Sequence, residues 1–302
     1  MTDIKERIRD LKKERDAVIL AHYYVPDEIQ EIADYVGDSY YLSKMAAKAT
    51  QQVIVFCGVR FMGESAKILS PQKKVVMPDA SADCPMAHMV EPSAIEAMRK
   101  KYPDLLVVCY INSTAEIKAL SDVCVTSSNA EKIVKALPQK DIFFVPDQHL
   151  GTYIASQLPD RNIMCNPGYC PIHNNISAQI VAEAKKDHPK ALVLMHPECP
   201  KEAIALADYV GSTSGIIDYA TKSPHHDFII ATEPGILYDL KNKNPQKHFY
   251  PLTAAGICED MKKITLEKVL HVLQTLDNEI ELDEDLRLKA KNALLKMHEI
   301  AQ

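Results

Sequence analysis

The chain has 302 residues, 47% of them hydrophobic, enough for one large core or for two or three smaller ones. Its net charge of −6, from 41 acidic against 35 basic residues, argues against a polyanion-binding surface and so against nucleic acid as a partner. No apolar run approaches the roughly 18 residues of a membrane-spanning helix, so no membrane association is expected.

In chain order, "MTDIKERIRDLKKERD" (1–16) predicts a charged amphipathic helix without the apolar region of a signal peptide, which makes a cytoplasmic protein the expectation. "AVILAHYY" (17–24) is an apolar strand ending in polar groups. "EIADYVGDSY" (31–40) reads as a helix end, a short strand and a hydroxyl-bearing turn. A third strand, "VIVFCGV" (53–59), precedes a helix and a fourth strand segment, "KKVVMPDASADC" (73–84).

The same series then returns twice. First strands recur as "LLVVCYINS" (105–113) and "ALVLMHPEC" (191–199), and second ones as "ALSDVCVTSS" (119–128) and "ALADYVGSTS" (205–214). Third strands recur as "DIFFVPD" and "DFIIATE", and fourth segments as "RNIMCNPGYC" (161–170) and "KHFYPLTAAGIC" (247–258). His22, Tyr110 and His196 are 88 and 86 residues apart, as are Asp34, Asp122 and Asp208; Cys84, Cys170 and Cys258 are 86 and 88 apart. The expected fold is therefore α/β: three parallel units related by pseudo-threefold symmetry, packed as one triangular body. The repeats span 16–95, 96–181 and 182–262. Residues 1–15 and 263–302 form terminal helices expected to brace the first repeat.

Of the eight cysteines, Cys57, Cys109 and Cys124 lie in apolar runs and read as small core residues. Functional groups gather at the carboxyl ends of parallel strands. One cysteine at the same loop of each repeat, Cys84, Cys170 and Cys258, thus suggests a three-thiolate metal centre with an open fourth position. A 4Fe-4S cluster suits that donor set, with one iron acting as Lewis acid. Two alternatives stay open: a copied core cysteine, and a zinc site completed by His173. Cys199 reads as structural. The strand-end hydroxyls Ser39, Ser127 with Ser128, and Ser212 with Thr213 suit anion binding at helix starts, or ordinary helix capping. His22, Tyr24, Tyr110, Asn112, His196 and Glu198 offer proton-exchanging and hydrogen-bonding groups at first-strand ends. Lys44 and Lys67 are expected to be solvated helix positions, and His225 and His226 surface residues.

The chain resembles the quinolinate synthase family over nearly its whole length. The motifs are "AHYY" (21–24), "GDS" (37–39), "CPMAHM" (84–89), "YINSTAEIKALSDVCVTSSNA" (110–130), "GYCPIH" (168–173), "HPEC" (196–199), "GSTSG" (211–215), "TEPG" (232–235) and "CEDMKKITLEKV" (258–269). His88 stands where the family usually has Asp, and Tyr23 where Asn is common. The resemblance implies a central 4Fe-4S cluster on Cys84, Cys170 and Cys258. It implies condensation of iminoaspartate with dihydroxyacetone phosphate to quinolinate, with loss of phosphate and two waters. It makes Tyr24 and Glu198 proton-transfer groups and Tyr110 and His196 substrate-orienting groups, with His22 beside them. Asn112 becomes a carboxylate donor, His173 a substrate neighbour and Thr232 a phosphate-binding residue. It also leaves room for functional coupling to an aspartate-oxidising enzyme.

Overall fold

The computed structural model describes residues 2–252 and 256–301; residues 253–255, within the fourth segment of the third copy, lie outside the described residues. Among the described residues, twelve strands form three four-stranded sheets. The first contains β1 (Ala17–His22), β2 (Tyr35–Gly37), β3 (Val53–Cys57) and β4 (Lys74–Val76) in the order β2-β1-β3-β4. The second contains β5 (Leu106–Tyr110), β6 (Val123–Val125), β7 (Asp141–Val145) and β8 (Asn162–Cys165) in the order β6-β5-β7-β8. The third contains β9 (Leu192–Met195), β10 (Tyr209–Val210), β11 (Asp227–Ala231) and β12 (His248–Pro251) in the order β10-β9-β11-β12. The pairings are parallel and the strand order is the same in each, as the three-copy sequence requires.

The repeated aspartate has a backbone role. Asp34 Oδ2 accepts the Ile19 amide at 2.8 Å while its own amide donates to Ile19 O at 2.9 Å. Asp208 does the same at Val193, with the same two distances. Each clamps the second-strand approach onto the first strand. Every residue of β1 is buried, which explains an uninterrupted apolar run rather than an alternating one.

The chain forms two compact units, which follow a different line from the sequence repeats. The first holds Met1–His88, Ile111–Cys124 and Glu259–Gln302. In it the helices Thr2–Glu14 and Leu266–Thr275 pack together, and Arg15 ties them by donating to the carbonyls of Leu273 and Gln274. Helix Glu284–Ile300, N-capped by Asp283, packs on Ala115–Ala119 and on Arg60–Leu69. The segment before it covers the open edge of β4: Ile280 N donates to Val75 O at 2.8 Å, and Val76 bridges Glu279 antiparallel. Lys67 departs from the sequence expectation, because its ammonium is bonded to Lys73 O at 2.9 Å and to Glu279 at 3.0 Å. Its helix turns inward, and Glu279, 212 residues away, supplies the counter-charge.

The second unit holds Met89–Tyr110 and Val125–Cys258. The core around its third sheet joins Ile176, Val181, Val193, Met195, Cys199, Ile229 and Ala231. Cys199 is thus a core residue, as are Cys57, Cys109 and Cys124. His225 and His226 are exposed. No helix among the described residues is long and apolar enough to cross a membrane.

The contact of helix Glu284–Ile300 gives a stability test. Leu294 is fully buried and Leu288 is 46% exposed on the same helix. Leu294→Ala is expected to cost about 2–5 kcal/mol in urea unfolding. Leu288→Ala is expected to stay within about 0.5 kcal/mol of the parent.

Candidate active site

The second unit gathers its polar side chains where parallel strands end, the usual place for chemistry in such sheets. β5 ends at Tyr110, β9 delivers His196 and Glu198, β11 delivers Thr232, and the loop after β8 delivers Cys170 and His173. His196 prolongs the pairing of β9 with β11, its amide donating to Ala231 O at 3.1 Å. The chain then turns back, with Cys199 N donating to His196 O at 3.1 Å, and this turn aims Glu198 inward.

Glu198 is the centre of the cluster and is 3% exposed. The Tyr110 hydroxyl donates to its Oε1. His173 Nδ1 lies 2.7 Å from its Oε2, and His196 Nδ1 lies 3.9 Å away. The His173 and His196 rings stack, with centroids 4.5 Å apart. His173 Nε2 meets the Thr232 hydroxyl at 2.9 Å, and His196 Nε2 meets that of Ser127 at 3.2 Å. Cys170 Sγ is 3.3 Å from His173 Nδ1. Ligand atoms of Cys170, His173 and Glu198 all lie within 4.8 Å of one another, close enough to hold one metal ion.

Two carboxyls here are driven in opposite directions. Burial would raise the pKa of Glu198, but His173 and His196 beside it, with hydrogen bonds from His173 and Tyr110, hold it well below the usual range. Asp147, wholly buried, is pushed up by that burial and then by the charge of Glu198, against the amides of Leu150, His149 and Cys170. Two carboxyls whose pKa values are driven apart in this way are the pattern of an acid and a base at one pH.

Asp147 also belongs to a backbone clasp. The loop bearing Cys170 pairs Gly168 with Asp147, receives Gln148 N on Gly168 O at 2.8 Å, and is pinned by Asn166 Nδ2 on Pro146 O at 2.9 Å. A Cβ on Gly168 would stand 2.6 Å from Pro146 O, so only glycine allows this approach.

The first unit carries His22, Tyr24, Ser39, Asn112 and Cys84. The His22 and Tyr24 rings meet edge to face, with centroids 4.5 Å apart. Tyr24 N approaches His22 Nδ1 at 3.2 Å, and in the second unit Glu198 N approaches His196 Nδ1 at 3.4 Å, the same turn 174 residues later. Asn112 Oδ1 is a buried acceptor with no hydrogen-bond partner among the described residues. Nearby, Lys118 is fully buried and donates to Ser113 O, while Glu64 accepts the Ala115 amide at 3.0 Å. These two charged groups fix the loop that carries Asn112. Ser39 opens helix Ser39–Lys48 behind the N-cap Asp38. The loop before Cys84 is set by Asp79, which accepts from Ser81 N and Oγ and from Lys268 at 2.5 Å.

Of the residues singled out from the sequence, direct contacts join Cys170, His173, Glu198, His196, Tyr110, Ser127 and Thr232. Ser212 serves as N-cap of helix Thr213–Lys222, its Oγ accepting Gly215 N at 3.1 Å, and Thr213 is that helix's first residue. Cys258 is held through Glu233, whose Oε1 accepts its amide at 3.3 Å. Sequence reasoning missed Asp147, Glu233, Glu64 and Lys118. For Asp147 and Glu233 a signal existed, since they share one repeat position.

Parallel sheets with a buried acid–base cluster beside a thiol define an enzyme of the α/β class. The sequence profile of the quinolinate synthetase A protein family matches residues 6–299, and the chain belongs to that family. It is 54% identical over 300 residues to the quinolinate synthase of Clostridioides difficile, covering 99% of both chains. It is 52% identical to that of Caldicellulosiruptor saccharolyticus, over 99% of this chain and 98% of that one. It is 53% identical to that of Fusobacterium nucleatum, over 99% of each.

The Cys84 loop yields an acid-stability prediction. Burial would raise the pKa of Asp79, but Lys268 and the Ser81 hydroxyl and amide bring it to about 2. A depressed folded pKa stabilises the fold fully above the ordinary value near 3.9, and this contribution is lost as pH falls through about 2. Urea titrations should show the advantage of the parent over Asp79→Asn shrinking across that window. A difference constant with pH would refute the assignment.

Proposed function

We propose that the chain is a quinolinate synthase, a transferase of NAD biosynthesis that condenses iminoaspartate with dihydroxyacetone phosphate to quinolinate, releasing phosphate and two waters. The observation that carries this reading is the buried Glu198 carboxylate, held between the Tyr110 hydroxyl and the His173 imidazole, with Cys170 touching the same imidazole. The names of the family and of the relatives agree with it.

The donor set fits a thiolate-bound cluster. Cys84, Cys170 and Cys258 are each half-buried and outside any disulfide, directly before the helical turns Pro85–His88, Pro171–Asn174 and Glu259–Lys262. The core cysteines Cys57, Cys109, Cys124 and Cys199 are sealed from such a role. The thiols of Cys84, Cys170 and Cys258 would hold a 4Fe-4S cluster and leave one iron without a protein ligand. When bound, that cluster supplies a Lewis acid for a substrate hydroxyl or imine.

The chain's own groups supply the rest. Glu198, kept ionised, takes up a substrate proton on Oε2, and the phenols of Tyr110 and Tyr24 return protons to oxygens that leave as water. His22, Tyr110 and His196 orient the substrate carboxylates, and Asn112 adds an amide. The phosphate is bound by Thr232 and His173 and by the hydroxyls and helix-start amides at Ser39, Ser127, Ser212 and Thr213. An aspartate-oxidising enzyme in the cytoplasm is the partner class that would supply the imine.

The test is an anaerobic incubation with both substrates, quantifying quinolinate. The parent should form it, Cys170→Ser should form almost none, and Glu198→Gln should lose about 10²–10⁴-fold in turnover. No quinolinate from the parent, loaded with iron and sulfide, would overturn the reading. A second reading, a zinc-dependent lyase or hydrolase, is favoured by the closeness of the Cys170, His173 and Glu198 ligand atoms. Colourless protein with stoichiometric zinc, active without iron, would establish it instead.

A further inference from the structure

Asp147 and Glu233 are 86 residues apart, the offset that also separates Tyr110 from His196. Each is the second residue beyond a third strand, β7 or β11. Each is sealed from solvent, at 0% and 1% exposure, where a carboxylate is costly unless donors surround it. The donors are backbone amides. Asp147 Oδ1 accepts Leu150 N at 2.8 Å, and Glu233 Oε2 accepts Gly235 N at 2.6 Å, so each carboxylate closes the turn on its own strand. Glu233 also reaches the amide of the cysteine on the neighbouring fourth-strand loop, Cys258 N donating to Glu233 Oε1 at 3.3 Å, while the turn that Asp147 closes holds the Cys170 loop through Gln148 N on Gly168 O at 2.8 Å.

The first repeat reaches the same end by other means. Val59 stands at the matching position and has no acceptor on its side chain, but Asp83, the residue before Cys84, accepts the Cys84 amide at 2.7 Å. Cys84 and Cys258 therefore each have a carboxylate at their own N–H, and the Cys170 loop is tied to the turn that Asp147 closes.

We propose that Asp147 and Glu233 are positioning residues that fix the backbones of Cys170 and Cys258, presetting the direction of each thiol before a metal group arrives. An apolar residue at these positions would leave the cysteine loop untied while sparing the thiol itself. The proposal rests on the reading of these cysteines as ligands, but the anchoring is a property of the cluster-free chain and can be measured there.

The experiment is competitive alkylation of the full-length chain after chelation, with iodoacetamide labelling of Cys84, Cys170 and Cys258 quantified separately by mass spectrometry. Asp147→Leu is expected to speed labelling of Cys170 about 3–10-fold, the effect of one lost hydrogen bond, and Glu233→Met to do the same at Cys258. Cys84 should keep its parent rate in both. Asp147→Asn and Glu233→Gln retain a carbonyl acceptor without the charge and should label at close to the parent rate. Unchanged labelling in the apolar variants would overturn the proposal. So would acceleration of all three thiols together, which marks general loosening, or amide variants behaving like the apolar ones, which marks a pure charge effect. In a parallel arm, iron and sulfide bound after anaerobic reconstitution should fall in the apolar variants and persist in the amide ones. A parent that binds neither iron nor sulfide would sink the ligand reading, while the labelling pattern would still decide the anchoring.

Discussion

The buried charge of Glu198 is the constraint on which the second unit's site depends. A carboxylate out of water persists as an ion only where donors and a cationic partner surround it. Here Tyr110 and His173 meet its two oxygens, with His196 nearby. Those partners come from β5, from the loop after β8 and from the residue after β9, so three separate chain segments must be in place before the charge is tolerated. Its field then extends outward, adding to burial in raising the pKa of Asp147 and of the Cys199 thiol.

Such convergence follows from repetition. A parallel sheet delivers the residues after its strands to one edge, and copying the unit delivers chemically related residues to related places. Position 24 of the first copy, a tyrosine, corresponds to Asn112 in the second and Glu198 in the third. One structural slot has become a phenol, an amide and a carboxylate. The scaffold is conserved between copies by elements such as Asp34 and Asp208, which clamp strand to strand and do no chemistry.

The threefold succession of parallel strands was legible in the sequence because each copy repeats its apolar runs in the same sequence of contexts, and the strand-end histidines, tyrosines and Glu198 were legible because they fall in register. What was not legible depends on distance along the chain. Lys67 looked like a solvated helix position because Glu279, its partner, lies far downstream. The covering of the β4 edge by residues around Ile280 is equally invisible, since it pairs a strand with a segment that carries no strand pattern. Asp147 and Glu233 were passed over for a different reason. A polar residue just after a strand reads as an exposed turn, and only burial shows it to be an acceptor for amides.

The turn that brings the Tyr24 amide to His22 Nδ1, and the Glu198 amide to His196 Nδ1, has a consequence for these rings. A nitrogen facing an N–H must offer its lone pair, so the neutral imidazole keeps its proton on Nε2. In their neutral forms His22 and His196 thus share one tautomer, and that of His196 turns its Nε2–H to the Ser127 hydroxyl at 3.2 Å, as Tyr110 turns its O–H to Glu198 from the equivalent position. The slot at the end of each first strand thus carries a donor, an imidazole N–H in two copies and a phenol O–H in the other. The residue two places on is where the three copies differ, as tyrosine, asparagine and glutamate.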